Sequence, residues 1–169
     1  MPRTHPPALP IAALSLALAV LAGQARAEDR DDADRGKVIF RTTGGCVNCH
    51  GWAADGKTGV NMRAPSGPSL RETALDGPAL TEVIRCGRPG TPMPYHDRAA
   101  YRDDRCYGQV MADFAPGDKP ARGKSLTDDD IAALVTYLQG RVIGLAKPTH
   151  AECVDFFDNP AAKACNTVK

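Results

Sequence analysis

Apolar residues along this chain form one continuous block and several spaced sets. The block is the 12-residue run Ile11 to Ala22, broken only by Ser15. That is too short to span a bilayer, which takes about 20 residues. Arg3 and His5 precede it with no acid, and Ala25-Arg26-Ala27 follows. A basic start, a short apolar centre and an A-x-A end mark a secretory signal peptide, with cleavage after about Ala27. The later sets have helical period. Leu80, Val83 and Ile84 give one apolar face, and Ile131, Leu134, Val135 and Leu138 give another. No alternating apolar pattern of strand length occurs, nor any repeat or low-complexity tract. These features predict an all-α, loop-rich chain.

Capping residues bound the helices. Asp34 can cap a first helix, containing Gly36 and Phe40, that runs to about Thr42. Asp76-Gly77-Pro78 opens a second, with Pro78 near its first turn and Gly87 ending it after Cys86. Thr127-x-x-Asp130 is an acidic variant of the capping box and opens a third, which Gly140 ends. The acids Asp128 to Asp130 suit the positive end of that helix dipole.

Composition changes the picture in two ways. Loss of the signal removes Arg3 and Arg26, so the net charge of +1 becomes −1 in the 142 residues from Glu28. Nucleic-acid binding needs a basic stripe, and none is present. No later segment is long and apolar enough to enter a membrane stably. Aromatic content is 5%, against 16 glycines and 14 prolines, so the core needs a staple or a cofactor. Six cysteines meet that need, and export permits disulfides.

Cys46-Val47-Asn48-Cys49-His50 is the C-x-x-C-H string of c-type haem attachment. Two thiols add across the two vinyl groups of haem, and the next residue is thereby delivered to one face of the iron. Three other readings fit less well. A thioredoxin-like pair needs a strand before it, whereas a helix and Gly44-Gly45 precede these cysteines. A zinc ribbon needs a second close pair of ligands, and Cys86, Cys106, Cys153 and Cys165 are isolated. A Cys46–Cys49 disulfide would leave His50 without a role. For the sixth iron position the donors are Met62, Met93, Met111, His96 and His150. Met93 is favoured because Pro92 and Pro94 stiffen its backbone. Methionine is ordinarily chosen for flexibility, so a stiff loop is a poor place for one that only fills space. His96 is the alternative, and would give a bis-histidine haem of lower potential.

With these pieces in order, the chain resembles the class I cytochromes c, small monohaem electron carriers. The likeness runs from about Asp34 to Gly140. It rests on the helix with Gly36 and Phe40, on Cys46 to His50 followed by Gly51, on Gly67-Pro68-Ser69-Leu70, on Thr91-Pro92-Met93-Pro94, and on a closing helix with Leu134, Tyr137 and Leu138. The resemblance implies three to four helices wrapped around one covalent haem c, with His50 and Met93 on the iron. It also implies that Gly36 lets the first and last helices cross, where Phe40 meets Tyr137, and that the Pro68 carbonyl accepts from Nδ1 of His50. Such a bond orients the ring and strengthens it as a donor. Residues 28–140 would form this domain, after a signal peptide at 1–27 and before a C-terminal extension at 141–169.

Trp52, the only tryptophan, follows the haem histidine and is a candidate to touch haem or a propionate. Arg63, Arg71, Arg88 and Tyr95 are further candidate propionate donors, each with a solvated surface position as its plainer reading. Local pairing of the remaining cysteines is expected, Cys86 with Cys106 and Cys153 with Cys165. The first would clamp the Met93 loop, contributing about 3 kcal/mol in the chain-entropy account. The expected function is single-electron transfer in the periplasm between redox proteins, an upstream dehydrogenase and a downstream oxidase or cytochrome. The block Gly90 to Asp97 is similar to cytochromes that serve periplasmic quinoprotein dehydrogenases, so a subunit or dedicated acceptor of such an enzyme is the alternative. A haem enzyme or gas sensor would require an open sixth position.

Overall fold

The computed structural model describes residues 28–58 and 64–168, so the expected signal peptide at 1–27 and the candidate residues Met62 and Arg63 lie outside the described residues. From Asp32 on, the chain forms one compact unit. Helix α1 runs over 28–41. The single turn α2 (Val47–His50), α3 (Gly77–Cys86), α4 (Asp128–Arg141) and α5 (His150–Phe157) follow, with short 3-10 turns at Met111–Asp113 and Lys163–Thr167. Among the described residues there is no strand, only isolated bridges at Tyr95–Arg122 and Cys106–Gln109.

The core forms where α1 crosses α4. Ile39 and Phe40 from α1 meet Ile131, Leu134, Val135, Tyr137 and Leu138 from α4, and Leu80 and Ile84 bring in α3. A Cβ at Gly36 would run into the carbonyl oxygen of Ala133 and lie 2.6 Å from Cβ of Tyr137. Only glycine allows this approach, which lets Phe40 and Tyr137 pack with ring centroids 5.8 Å apart. α4 starts as its capping box requires: Thr127 Oγ1 accepts from the Asp130 N–H, and the Asp130 carboxylate accepts from the Thr127 N–H. Asp76 caps α3 by accepting from the Ala79 N–H at 2.9 Å.

Two expectations change. Asp34 does not cap α1, which is already helical from 28; its carboxylate instead takes Arg141 at 2.6 Å. Gly140 does not end α4, which runs on to Arg141 and closes with the Val142 N–H on the Leu138 carbonyl.

The extension after Arg141 is part of the packed structure. α5 has its own capping box, Thr149 with Glu152, and the Cys153–Cys165 disulfide ties it to the last 3-10 turn. Phe156 is buried against Phe40 and Trp52 at 6.3 and 6.1 Å between ring centroids. Polar contacts complete the hold. The buried Lys37 side chain sends its Nζ to the Asp155 carbonyl (2.8 Å) and the Asp158 carboxylate (2.9 Å). A buried ammonium is tolerated only with partners of this kind. Arg41 also binds Asp158, at 2.6 Å.

A second, smaller core lies under the segment after Met93. The Cys86–Cys106 disulfide, Ala100 and Tyr101 are buried there, with Tyr95, Met111 and Phe114 against them. Met111 is therefore a packing residue.

Candidate functional site

The site begins with a glycine pair. Gly45 takes φ +65°, open to glycine but costly for other residues, and turns the chain out of α1 into α2. α2 is one turn, with the His50 N–H on the Cys46 carbonyl at 2.9 Å. Cys46, Cys49 and His50 thus share one helical turn. Both cysteines are unpaired and half-buried, whereas Cys86, Cys106, Cys153 and Cys165 all form disulfides. Burial pushes the Cys46 thiol up to about 12, so it is held neutral.

His50 is buried, and Pro68 O lies 2.9 Å from its Nδ1. A carbonyl only accepts, so Nδ1 carries the proton and the Nε2 lone pair is left available. Burial holds the imidazole pKa down and so favours the neutral donor form, against the opposing pull of the Pro68 carbonyl. Gly67 makes room for this ring: a Cβ there would sit 2.7 Å from Cε1 and 2.8 Å from Nδ1. The Gly67 N–H also binds the Cys49 carbonyl at 2.7 Å, tying the Pro68 segment to the cysteine turn. Two unpaired thiols and one oriented imidazole on a single turn fit the donor set that covalent haem requires, two sulfurs for its vinyl groups and one nitrogen for its iron.

The other candidates fall into separate groups. Met93, half-buried, lies in a turn built after α3. Its N–H donates to Thr91 Oγ1 (3.2 Å), that hydroxyl donates to the Arg88 carbonyl (2.7 Å), and the Met93 carbonyl accepts from the Arg88 N–H (3.2 Å). His96 is buried and held much as His50 is. Its Nδ1 is 2.8 Å from Lys124 O, and its ring rests on Gly123. His150 is exposed at the start of α5.

Trp52 turns toward α5, with its ring 6.1 Å from those of both Phe156 and Phe157. Arg71 is neither solvated nor free for a propionate. It is buried, with Nε on the Ala146 carbonyl (2.8 Å), one terminal nitrogen on the Ala53 carbonyl (3.2 Å) and the other on Glu152 (2.9 Å). Sequence reasoning missed the roles of Arg71 and Lys37 as anchors for the extension. Thr149-x-x-Glu152 followed by Cys153, Phe156 and Phe157 carried a readable helix signal.

The cytochrome c family model matches residues 33–141. No curated protein and no solved structure shows a significant match.

Proposed function

The chain belongs to the cytochrome c family and carries covalently bound haem c for electron transfer, and from that premise we propose that Cys46 and Cys49 form the thioethers while His50 and Met93 are the axial ligands of an exported single-electron carrier. One observation carries the attachment reading: the only two unpaired cysteines stand on the turn that presents an oriented histidine. The cofactor supplies the one-electron chemistry. The chain's own part is to hold two donors in place in both oxidation states. His50 is fixed through Pro68, and the Met93 backbone is fixed through Thr91 and Arg88. A thioether ligand raises the potential of haem iron, which suits a carrier that accepts electrons from a dehydrogenase. The two disulfides favour an oxidising compartment such as the periplasm.

Visible spectra of the holoprotein and of Met93→Ala test this reading. The weak far-red sulfur-to-iron band of the oxidised form should be present in the wild type and absent in the variant. The hold on His96 favours one second reading, in which that imidazole takes the sixth position. A wild type that lacks the band and resists carbon monoxide would support it. One that lacks the band and binds carbon monoxide would instead be an open haem, as an enzyme or sensor requires.

The same block, Gly90 to Asp97, motivates a finer proposal, that the donor is a periplasmic quinoprotein-type dehydrogenase. Co-purification in a stable complex would make the chain a subunit of that enzyme. Weak, salt-sensitive association would leave it a free shuttle or dedicated acceptor.

A further inference from the structure

We infer that Tyr107 is a positioning residue for Met93, acting through a single peptide group. The inference rests on the proposal that Met93 binds the iron. The peptide in question joins Gly87 to Arg88. Its oxygen accepts the Tyr107 hydroxyl at 2.8 Å, and its N–H donates to the Met93 carbonyl at 3.2 Å. A hydrogen bond at one end of a peptide polarises the bond at the other, so the two support each other. The preceding peptide is held in the same way, its Cys86 oxygen accepting the Tyr101 hydroxyl at 2.6 Å.

The surroundings leave this pair of peptides little freedom. Gly87 has φ +65°, and a Cβ there would lie 2.7 Å from the Met93 oxygen and from the Tyr95 nitrogen. The turn after α3 is therefore pressed directly on the backbone of the methionine loop. Tyr107 reaches it because the Cys86–Cys106 disulfide brings the neighbouring residue to the same helix end. Both tyrosines have positive φ, +60° at Tyr101 and +57° at Tyr107. Non-glycine residues adopt that conformation at a cost, and keep it where the surroundings over-determine it. Here the result is two phenolic hydroxyls aimed at consecutive carbonyls. Tyr107 is 39% exposed, so its ring is not needed to fill a core, and the hydroxyl contact is its main structural role.

Imidazole titration of the oxidised holoprotein tests this, because imidazole binds the iron only as Met93 leaves it. Four proteins are compared: wild type, Tyr107→Phe, Met93→Ala and the double variant. Losing the hydroxyl should make imidazole bind about tenfold more tightly to Tyr107→Phe than to wild type, the factor that 1.4 kcal/mol of hydrogen bonding produces. In the Met93→Ala background the same change should have no effect. Equal affinity in wild type and Tyr107→Phe, or the same factor in both backgrounds, would overturn the positioning role, the latter showing only general loosening. A wild type without the far-red band refutes Met93 ligation itself and the inference with it. That outcome is separate from a band that is present and indifferent to Tyr107.

Discussion

Gly67→Ala is the change that most directly tests how His50 is held. The backbone at Gly67 does not require glycine, since only contact opposes a side chain there. Two effects then compete. Alanine restricts the unfolded chain, which by itself stabilises by about 0.4–1 kcal/mol. Against this, the new methyl would lie 2.7 Å from Cε1, 2.8 Å from Nδ1 and 3.2 Å from Nε2 of His50. Carbon atoms pack best at about 3.5–4.0 Å, so the ring must retreat by about 0.8 Å. Overpacking of this kind costs about 1–3 kcal/mol. The retreat also stretches the 2.9 Å bond from Nδ1 to Pro68, worth about 0.5–1.5 kcal/mol. The clash wins, and we expect Gly67→Ala to lower stability by about 1–3 kcal/mol, read from the urea midpoint of the holoprotein. With His50 on the iron, weakening that bond makes the imidazole a poorer donor and stabilises the oxidised form less. The potential should therefore rise by about 20–60 mV, taking about 59 mV per tenfold for one electron. Pro68→Ala is the control: it keeps the accepting carbonyl and should leave the potential near wild type. A Gly67→Ala protein with unchanged potential and equal or greater stability would refute the packing of His50 on Gly67.

Three further outcomes follow from the fold. Gly36→Ala sets a Cβ against the Ala133 carbonyl, which is backbone and cannot rotate away, so denaturation should show a loss of about 3 kcal/mol despite the better helix propensity of alanine. Replacing Cys153 and Cys165 by serine opens a link between residues 12 apart, removing about 3 kcal/mol from the tail, and hydrogen exchange should rise in α5 ahead of α4. Burial raises the Glu152 pKa, but the bonds from Arg71 and Thr149 outweigh it and hold the carboxyl below its ordinary value. Its contribution is therefore complete above about pH 5 and is lost as pH falls through the depressed folded value. Thermal midpoints should drop over that acid range in wild type and drop less in Glu152→Gln.

Local chemistry was the most legible part of the chain. The Cys46 to His50 string, the Asp76 cap and the Thr127–Asp130 box each act within four residues, and the described structure has the corresponding turns and caps. The local disulfide pairs were also within reach, since each closes a short stretch. Asp34 misled because a good capping residue serves equally well as a surface acid for Arg141, 107 residues away. Arg71 and Lys37 were illegible for the same reason. Cations normally stay in water, and the carboxylates that neutralise these two buried ones lie 81 and 121 residues away. In the tail, α5 follows the ordinary rules with its capping box and paired phenylalanines, but its 8 residues are too few to show a helical apolar period.

The placement of Trp52 has a practical consequence. It is the only tryptophan, and it stands between the cysteine turn and the two phenylalanines of α5. Its fluorescence is therefore a single-site gauge of whether the last helix is seated. Emission that shifts before the haem absorption changes would mark detachment of the tail as a separate, earlier opening of the molecule, and coincident changes would mark one cooperative unit.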